Sequence, residues 1–156
     1  MCLLNARSVC NKTLVIKDFV VECAIDLLGI TETWLHLKGD KVTIGELCPS
    51  GYRFVHTPRP VGTSGGVGFL YKQGFRTNTQ ACEHSYRSFE CVDVTFLNRK
   101  SVRALVVYRP PETGAAIGVF FEEFSSLLEE VVVCPEELLI IGDFHFHMDV
   151  ADRYAA

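Results

Sequence analysis

The strongest constraint in this sequence is a set of short apolar segments that each end at a polar side chain. The segments MCLLN, IDLLGITE, SVRALVVY and ELLIIGD place Asn5, Glu32, Tyr108 and Asp143 at their carboxyl ends. Apolar runs of this length between turn residues are typical of buried strands. Because ligand chemistry in α/β sheets gathers at the carboxyl ends of strands, these four residues are candidate site residues.

A helical pattern separates the first two of these strands. Ile16, Phe19, Val20 and Cys23 follow the spacing i, i+3, i+4, i+7, and Asn11 is a candidate N-cap before them. A strand–helix–strand order at the start of a chain favours an α/β sheet. The sequence therefore predicts an α/β fold that begins with this unit.

The rest of the chain predicts more strands and one further helix. YRFVHT and VGFLYK indicate strands, and SFECVDVTF and SVRALVVYRP indicate an antiparallel hairpin that turns at LNRK. HLKGDKVTIGELCPSG has the Gly and Pro punctuation of a loop, and GTSGGVG lacks the Lys-Ser/Thr of a phosphate-binding loop. An amphipathic helix is predicted from the apolar positions Phe120, Phe124, Leu127, Leu128 and Val131.

Length, charge and cysteine usage limit the class of protein. A chain of 156 residues is one domain or part of one, and its formal net charge of −4 gives no overall attraction to nucleic acid. Its seven cysteines form no C-x-x-C pair, which favours reduced thiols. No apolar run nears the roughly 18 residues of a membrane span, and no signal peptide is evident. We therefore expect an intracellular protein, nuclear or cytoplasmic.

Each candidate site residue also has a purely structural interpretation. Asp143 could form an Asx turn at a strand end, and Glu32 or Asn5 could belong to ordinary turns. Tyr108 could be a ring at the edge of the core with a solvated hydroxyl. The functional alternative is that two carboxylates hold Mg²⁺, which needs few protein ligands.

The histidines after the last strand raise a separate hypothesis. On a strand, His145 and His147 would share one face with Asp143 and Asp149. A His-x-His pair near an aspartate is typical of zinc hydrolases. Only nine residues follow His147 to supply further ligands, so the zinc site is the weaker interpretation.

Taken together, five stretches resemble one known group of enzymes. They are LLNARSVCNK, IDLLGITETWL, GYRFVHTPRPVGTSGGVGFLYK, VVYRPP and LLIIGDFHFHMDV. In this order they resemble the endonuclease/exonuclease/phosphatase superfamily, and most closely the apurinic-type endonuclease domain of non-LTR (LINE-like) retrotransposons. The resemblance implies a four-layered α/β sandwich, in which helices flank two mixed, mostly antiparallel sheets.

The resemblance also implies a reaction and a role for each candidate. Enzymes of this kind cleave phosphate esters with Mg²⁺, with Mn²⁺ as a possible substitute, and the retrotransposon branch nicks DNA. By position, Glu32 would be the main metal ligand and Asn5 would support the metal site. Tyr108 would contact the scissile phosphate, and Asp143 would orient or deprotonate the attacking water.

Two departures from the family pattern predict weak or absent activity. The family has Gly-Asp-Phe-Asn after the last strand, whereas this chain has His145 in place of the Asn. The family also continues into later strands and a Ser-Asp-His segment, so residues 1–156 would be a single but incomplete domain with an exposed sheet edge. A non-catalytic, transposon-derived remnant that binds a protein is the alternative, and the sequence leaves the oligomeric state open.

Overall fold

Two four-stranded sheets form the centre of the molecule. The computed structural model describes residues 1–36, 39–59, 62, 64–80, 86–111 and 117–146. Within these residues it contains eight strands and three helices. The expectation of an α/β fold is confirmed.

The first sheet has the strand order β1-β2-β4-β3. Strand β1 (Cys2–Asn5) lies parallel to β2 (Leu27–Thr31), and helix α1 (Thr13–Glu22) connects them. Strand β4 (Val67–Lys72) runs antiparallel to both β2 and β3 (Tyr52–Thr57). The predicted strand–helix–strand unit is therefore present.

The second sheet has the strand order β5-β6-β7-β8. Strands β5 (Thr77–Gln80), β6 (Glu90–Leu97) and β7 (Ser101–Tyr108) are antiparallel neighbours. Helix α3 (Ile117–Val132) then returns the chain to β8 (Glu137–Asp143), which pairs in parallel with β7. Both sheets are mixed and mostly antiparallel, as predicted.

The apolar residues define four layers. The inner faces of the two sheets pack on each other through residues such as Phe69, Val94 and Val106. The outer face of the first sheet packs on α1 and on α2 (Lys41–Leu47), and the outer face of the second sheet packs on α3. The predicted sandwich of two sheets flanked by helices is confirmed.

Gly29 in β2 packs closely against the second sheet. A Cβ atom on this residue would lie 2.7 Å from Ile141 Cδ1 and 3.0 Å from Val106 Cγ2, so a larger side chain would push the layers apart. This contact joins β2 to β7 and β8, which are the strands that carry three of the four candidate site residues.

Helix α1 differs in detail from its prediction. Lys12 takes the N-cap position without a side-chain cap, so the prediction of Asn11 as N-cap is wrong. The Lys12 ammonium instead donates to the carbonyls of Ala6 and Arg7, at 2.5 and 3.1 Å, which fixes the turn before the helix. Phe19 is 41% exposed, because the buried face of this helix consists of Thr13, Ile16 and Val20.

Two short elements escaped the sequence analysis. Helix α2 lies in the segment predicted to be a loop, and it buries only Leu47 fully, so it has almost no apolar periodicity. Strand β5 has the polar sequence TNTQ and pairs with β6 through its backbone. Neither element carries the apolar pattern on which sequence interpretation depends.

Two further sequence expectations concern the cysteines and the membrane-spanning segments. The six cysteines in the described part of the chain are free thiols, and Cys82 lies outside that part. None of the helices among the described residues combines the length and apolarity needed to cross a bilayer.

Candidate active site

The side chain of Asn5 joins the two candidate carboxylates. Its Nδ2 donates to Glu32 Oε1 and to Asp143 Oδ2, each at 2.8 Å. The Arg7 backbone N–H donates to Asn5 Oδ1 at 3.2 Å, which fixes the orientation of the amide. Residues far apart in the sequence therefore meet at one nitrogen atom.

The strand register brings these residues together. Asn5 pairs with Thr31, the residue before Glu32, and Tyr108 pairs with Asp143. Each of these pairs closes a parallel ladder, so the carboxyl ends of both strands in a pair lie at the same sheet edge. The structure thus places all four predicted site residues at one end of the sandwich.

Tyr108 lies at the base of the site with its hydroxyl near Glu32. The residue is 5% exposed, and its ring meets the His145 ring edge-on at 5.8 Å between centroids. Burial raises the pKa of Tyr108 well above its usual value, and the Glu32 carboxylate, which accepts its hydrogen bond, raises it further. Tyr108 is therefore a neutral hydroxyl donor at physiological pH.

The imidazole of His145 has one nitrogen engaged. Nδ1 lies 2.9 Å from the Arg109 carbonyl oxygen and 3.1 Å from Asp143 Oδ1. Because a carbonyl can only accept, Nδ1 carries the proton, and Nε2 of the neutral ring can only accept a hydrogen bond or bind a cation. In its neutral form, His145 thus has no N–H left to donate to a ligand in the site.

Three ionisable side chains converge closely enough to bind one cation. Ligand atoms of Glu32, Asp143 and His145 all lie within 4.8 Å of one another. Two carboxylates held this close repel each other unless a cation or a proton lies between them.

A buried hydroxyl beside this cluster also lacks a partner. The hydroxyl of Thr31 is fully buried and has no hydrogen-bond partner within the described residues. Thr31 lines the same surface pocket as Asn5, Asp143 and His145. Mg²⁺ and Mn²⁺ prefer oxygen ligands, and most of the ligand atoms in this cluster are oxygens, so the residues present fit such an ion.

Backbone strain is concentrated around this site. Six described residues other than glycine have a positive φ, and five of them lie in the three segments that surround the carboxylates. These five are Arg7, Ser8, Glu32, Trp34 and His145. Such conformations cost of order 1–3 kcal/mol each and persist at sites where the surrounding structure fixes them.

Glu90 is a residue of this site that the sequence analysis missed. It opposes Tyr108 in the β6–β7 ladder, and its carboxylate accepts hydrogen bonds from the Arg59 guanidinium and the Gly66 backbone N–H. Burial raises the pKa of Glu90, and these two donors partly offset the effect. Because β6 is antiparallel to β7, its first residue lies at the site, and a search of carboxyl ends alone overlooks it.

Arg109 is a second residue that the sequence analysis missed. Its backbone N–H donates to the Asp143 carbonyl at 2.9 Å, and its Nη1 donates to the Phe144 carbonyl at 3.3 Å. The guanidinium also stacks over the Phe146 ring, 4.8 Å from the centroid. Arg109 therefore holds the segment that carries Asp143 and His145, and its position directly after Tyr108 was the available signal.

The His-x-His motif lies only partly within the described residues. His147 and Asp149 lie outside the described residues, so the zinc site they would form with His145 stays a prediction. Asp143 and His145 do face each other, but through Nδ1, which is hydrogen-bonded to Arg109.

Comparison with solved structures identifies the fold. An endonuclease/exonuclease/phosphatase from Bacteroides vulgatus superposes with a TM-score of 0.63 at 13% identity, covering 93% of this chain and 64% of that one. An AP endonuclease from Leishmania major gives 0.62 at 14% identity, with 91% and 53% coverage. The chain has the endonuclease/exonuclease/phosphatase fold.

A further match has nucleic acid bound. A variant of the 3′ phosphatase NExo from Neisseria, in complex with a product DNA hairpin, matches with a TM-score of 0.58 at 15% identity, covering 92% of this chain and 56% of that one. The present chain thus spans between about half and two thirds of the length of these three structures. No protein-family model and no curated protein sequence matches the chain.

Proposed function

We propose that this chain carries a divalent-metal-dependent phosphodiesterase site that nicks DNA, of the type found in LINE-like retrotransposons. The observation that carries the proposal is the bridge from Asn5 to both Glu32 and Asp143. The bridge places an acidic pair at the carboxyl ends of strands from both sheets, in a fold shared with nucleases and phosphatases.

Glu32, Asp143 and Asn5 would hold the metal. Mg²⁺ is the ion we favour, and Mn²⁺ would also suit a cluster that includes the imidazole of His145. When bound, the ion would offset the negative charge that develops on the phosphate. Asn5 can bind a metal only through its amide oxygen, Oδ1. In the structure Oδ1 accepts the Arg7 N–H, so the amide would have to rotate when the metal binds.

The neighbouring side chains supply the other functions that hydrolysis needs. Tyr108 remains protonated, and its hydroxyl would turn from Glu32 to donate a hydrogen bond to a phosphate oxygen. Asp143, which faces Nδ1 of His145, would orient a water molecule and accept its proton. Arg109 fixes the backbone on both sides of Phe144 and so keeps Asp143 and His145 in place.

DNA is the substrate class that we favour. The matches include an AP endonuclease and a 3′ phosphatase bound to a DNA hairpin, and the five sequence stretches resemble a DNA-nicking domain. Arg7 is exposed and lies two residues after Asn5, so it would offer a cation to a phosphate backbone despite the net charge of −4. A protein that acts on DNA would work in the nucleus or cytoplasm.

The proposed activity is weak because of His145. Its Nδ1 proton is already donated to Arg109, so the neutral ring offers no N–H to the phosphate. A displacement of about 1 Å in a substrate contact can lower a rate roughly a hundredfold. We therefore expect slow but metal-dependent cleavage.

A nicking assay on supercoiled plasmid tests this function. The wild-type chain should relax the plasmid in Mg²⁺ and lose this activity in EDTA. Glu32→Gln removes the main ligand charge and should reduce the rate at least a hundredfold, whereas Glu22→Gln on the exposed end of α1 should leave it unchanged. No nicking by the wild type, or equal nicking by Glu32→Gln, would favour a non-catalytic remnant.

A further inference from the structure

We propose that Glu90 is a positioning residue that holds Glu32 in place through the glycine-rich loop before β4. The proposal rests on the proposed function, because it assigns to Glu90 the task of orienting the main metal ligand. Glu90 packs against Gly65 and Gly66. These two glycines in turn accept hydrogen bonds from the backbone of residues 33 and 34, which directly follow Glu32.

The first step is the anchoring of the loop by the Glu90 carboxylate. Its two oxygens accept from different donors, the Arg59 Nε–H and the Gly66 backbone N–H. The Glu90 side chain is 10% exposed and that of Arg59 is 27% exposed, so solvent competes little for these bonds. One carboxylate thus binds both ends of the segment from Arg59 to Gly66.

The second step links this loop to the segment that carries Glu32. The Thr33 backbone N–H donates to the Gly66 carbonyl at 3.1 Å, and the Trp34 N–H donates to the Gly65 carbonyl at 2.7 Å. The Ser8 backbone N–H donates to the Glu32 backbone carbonyl at 2.8 Å, so Glu32 itself is also held. Glu32 has a φ of +53°, and Trp34 has a φ of +57°. These flanking bonds hold the segment in a conformation that it would not adopt alone.

Two glycines make this contact possible. A Cβ atom on Gly65 would lie 2.5 Å from Glu90 Oε1, and one on Gly66 would overlap the Thr33 hydroxyl. Both have a positive φ, +96° and +84°. The Gly65–Gly66 pair within GTSGGVG is therefore explained by close backbone packing against Thr33 and Glu90.

The location of Glu90 separates positioning from simple stabilisation. Asp93, on the same strand, also forms a buried ion pair, but its partner is Arg103 and its face is opposite to that of Glu90. Glu90 lies at the end of β6 beside the site, opposite Tyr108, and its contacts lead to Glu32. A disturbance at Glu90 should therefore reach the metal ligands.

The chain contains a single tryptophan, and it lies on this contact. Trp34 is 37% exposed and is bonded to Gly65, so its fluorescence reports whether the loop is held against the Glu32 segment. The experiment compares Trp34 emission and Mn²⁺ affinity, measured by calorimetry, in the wild-type chain and three variants. Glu90→Gln removes the charge and one acceptor, and Gly66→Ala disrupts the same contact while keeping the charge.

The third variant is a matched control. Glu123 also accepts backbone N–H bonds, from Arg87 and Ser88 at 3.1 and 3.0 Å, but it holds a different loop against α3. Glu123→Gln should therefore leave both readouts as in the wild type.

Glu90→Gln and Gly66→Ala should both shift Trp34 emission to longer wavelength. Both should also weaken Mn²⁺ binding about tenfold to a hundredfold, the usual effect of losing an outer-shell support. Wild-type values in Glu90→Gln would overturn the proposal. A weaker affinity in Glu90→Gln alone, with Gly66→Ala unchanged, would also overturn it, because charge alone would then explain the effect.

Failure of the proposed function has a different signature. A wild-type chain that binds no Mn²⁺ would contradict the metal site but would leave the emission comparison intact. Under that result, shifted emission in both variants would support the loop contact, and unshifted emission would overturn it.

Discussion

His145, at the position where the resemblance to the endonuclease family implies an asparagine, is the residue-scale feature with the clearest consequence for the proposed function. Its Nδ1 faces the Arg109 carbonyl and Asp143, so only Nε2 is left for a ligand. An amide at this position could donate toward the phosphate, whereas neutral His145 cannot. Under the proposed function this difference would slow cleavage, and the zinc site that His145 would form with His147 stays a prediction.

His145→Asn should consequently raise the plasmid-nicking rate in Mg²⁺ by roughly tenfold to a hundredfold, because a correctly placed donor restores the substrate contact. The initial rate under excess enzyme measures this effect, and Glu32→Gln in the same background serves as the inactive control. An unchanged rate in His145→Asn would contradict this explanation, and a lower rate would mean that His145 itself takes part in the reaction.

His56 in β3 gives the stability a pH dependence. Its ring stacks on Phe54 with centroids 5.5 Å apart, and its buried Nδ1 has no hydrogen-bond partner among the described residues. Burial lowers the pKa of His56, so the unfolded chain binds this proton more readily than the folded one. The pKa of His56 in the unfolded chain is about 6.5. The free energy of unfolding should therefore be highest above this pH and should decline as the pH falls below it.

The urea midpoint of unfolding at pH 7.5 and at pH 5.5 measures this decline. His56→Phe keeps the stacked ring and removes the titrating group, so the difference between the two midpoints should become smaller. If the variant shows the same difference as the wild type, His56 does not contribute to it.

At the scale of secondary-structure elements, the sequence predicts those that bury an apolar face. Strands β1 to β4 and β6 to β8 and helices α1 and α3 lie where apolar runs or periodicity indicate them. Helix α2 and strand β5 were missed because tertiary packing and backbone pairing stabilise them without such a pattern. The exact face of α1 also depends on how the helix lies on the sheet, which its own residues do not determine.

Helix α3 supports the site through aromatic packing. Phe120 is 2% exposed and meets the rings of Phe144 and Phe146 with centroids 6.3 and 5.4 Å apart. These two phenylalanines flank His145, so the helix packs directly under the segment that carries the site.

Phe120→Ala should lower the free energy of unfolding by about 3–5 kcal/mol, the usual range for a buried phenylalanine. Urea denaturation measures the loss, and Val132→Ala, on the same helix but 69% exposed, should change the stability by less than about 0.5 kcal/mol. Similar losses in the two variants would show that the ring cluster does not anchor α3.

At the scale of the whole molecule, the sequence predicts which residues meet at the candidate site but only part of what holds them together. Asn5, Glu32, Tyr108 and Asp143 end strands, and parallel pairing brings such ends together. The Asn5–Asp143 bond crosses from one sheet to the other, so it depends on how the sheets stack. Glu90 and Arg109 act through contacts that no single segment of the sequence reveals.

In the proposed function, Glu32 and Asp143 bind one divalent cation between the two sheets. Anomalous diffraction from a crystal soaked in Mn²⁺ tests this site directly, because the ion's position is observed independently of activity. We expect a single strong peak within about 2–2.5 Å of carboxylate oxygens from both residues, and no peak there in Glu32→Gln. A wild-type crystal without a peak at this position would contradict the proposed metal site.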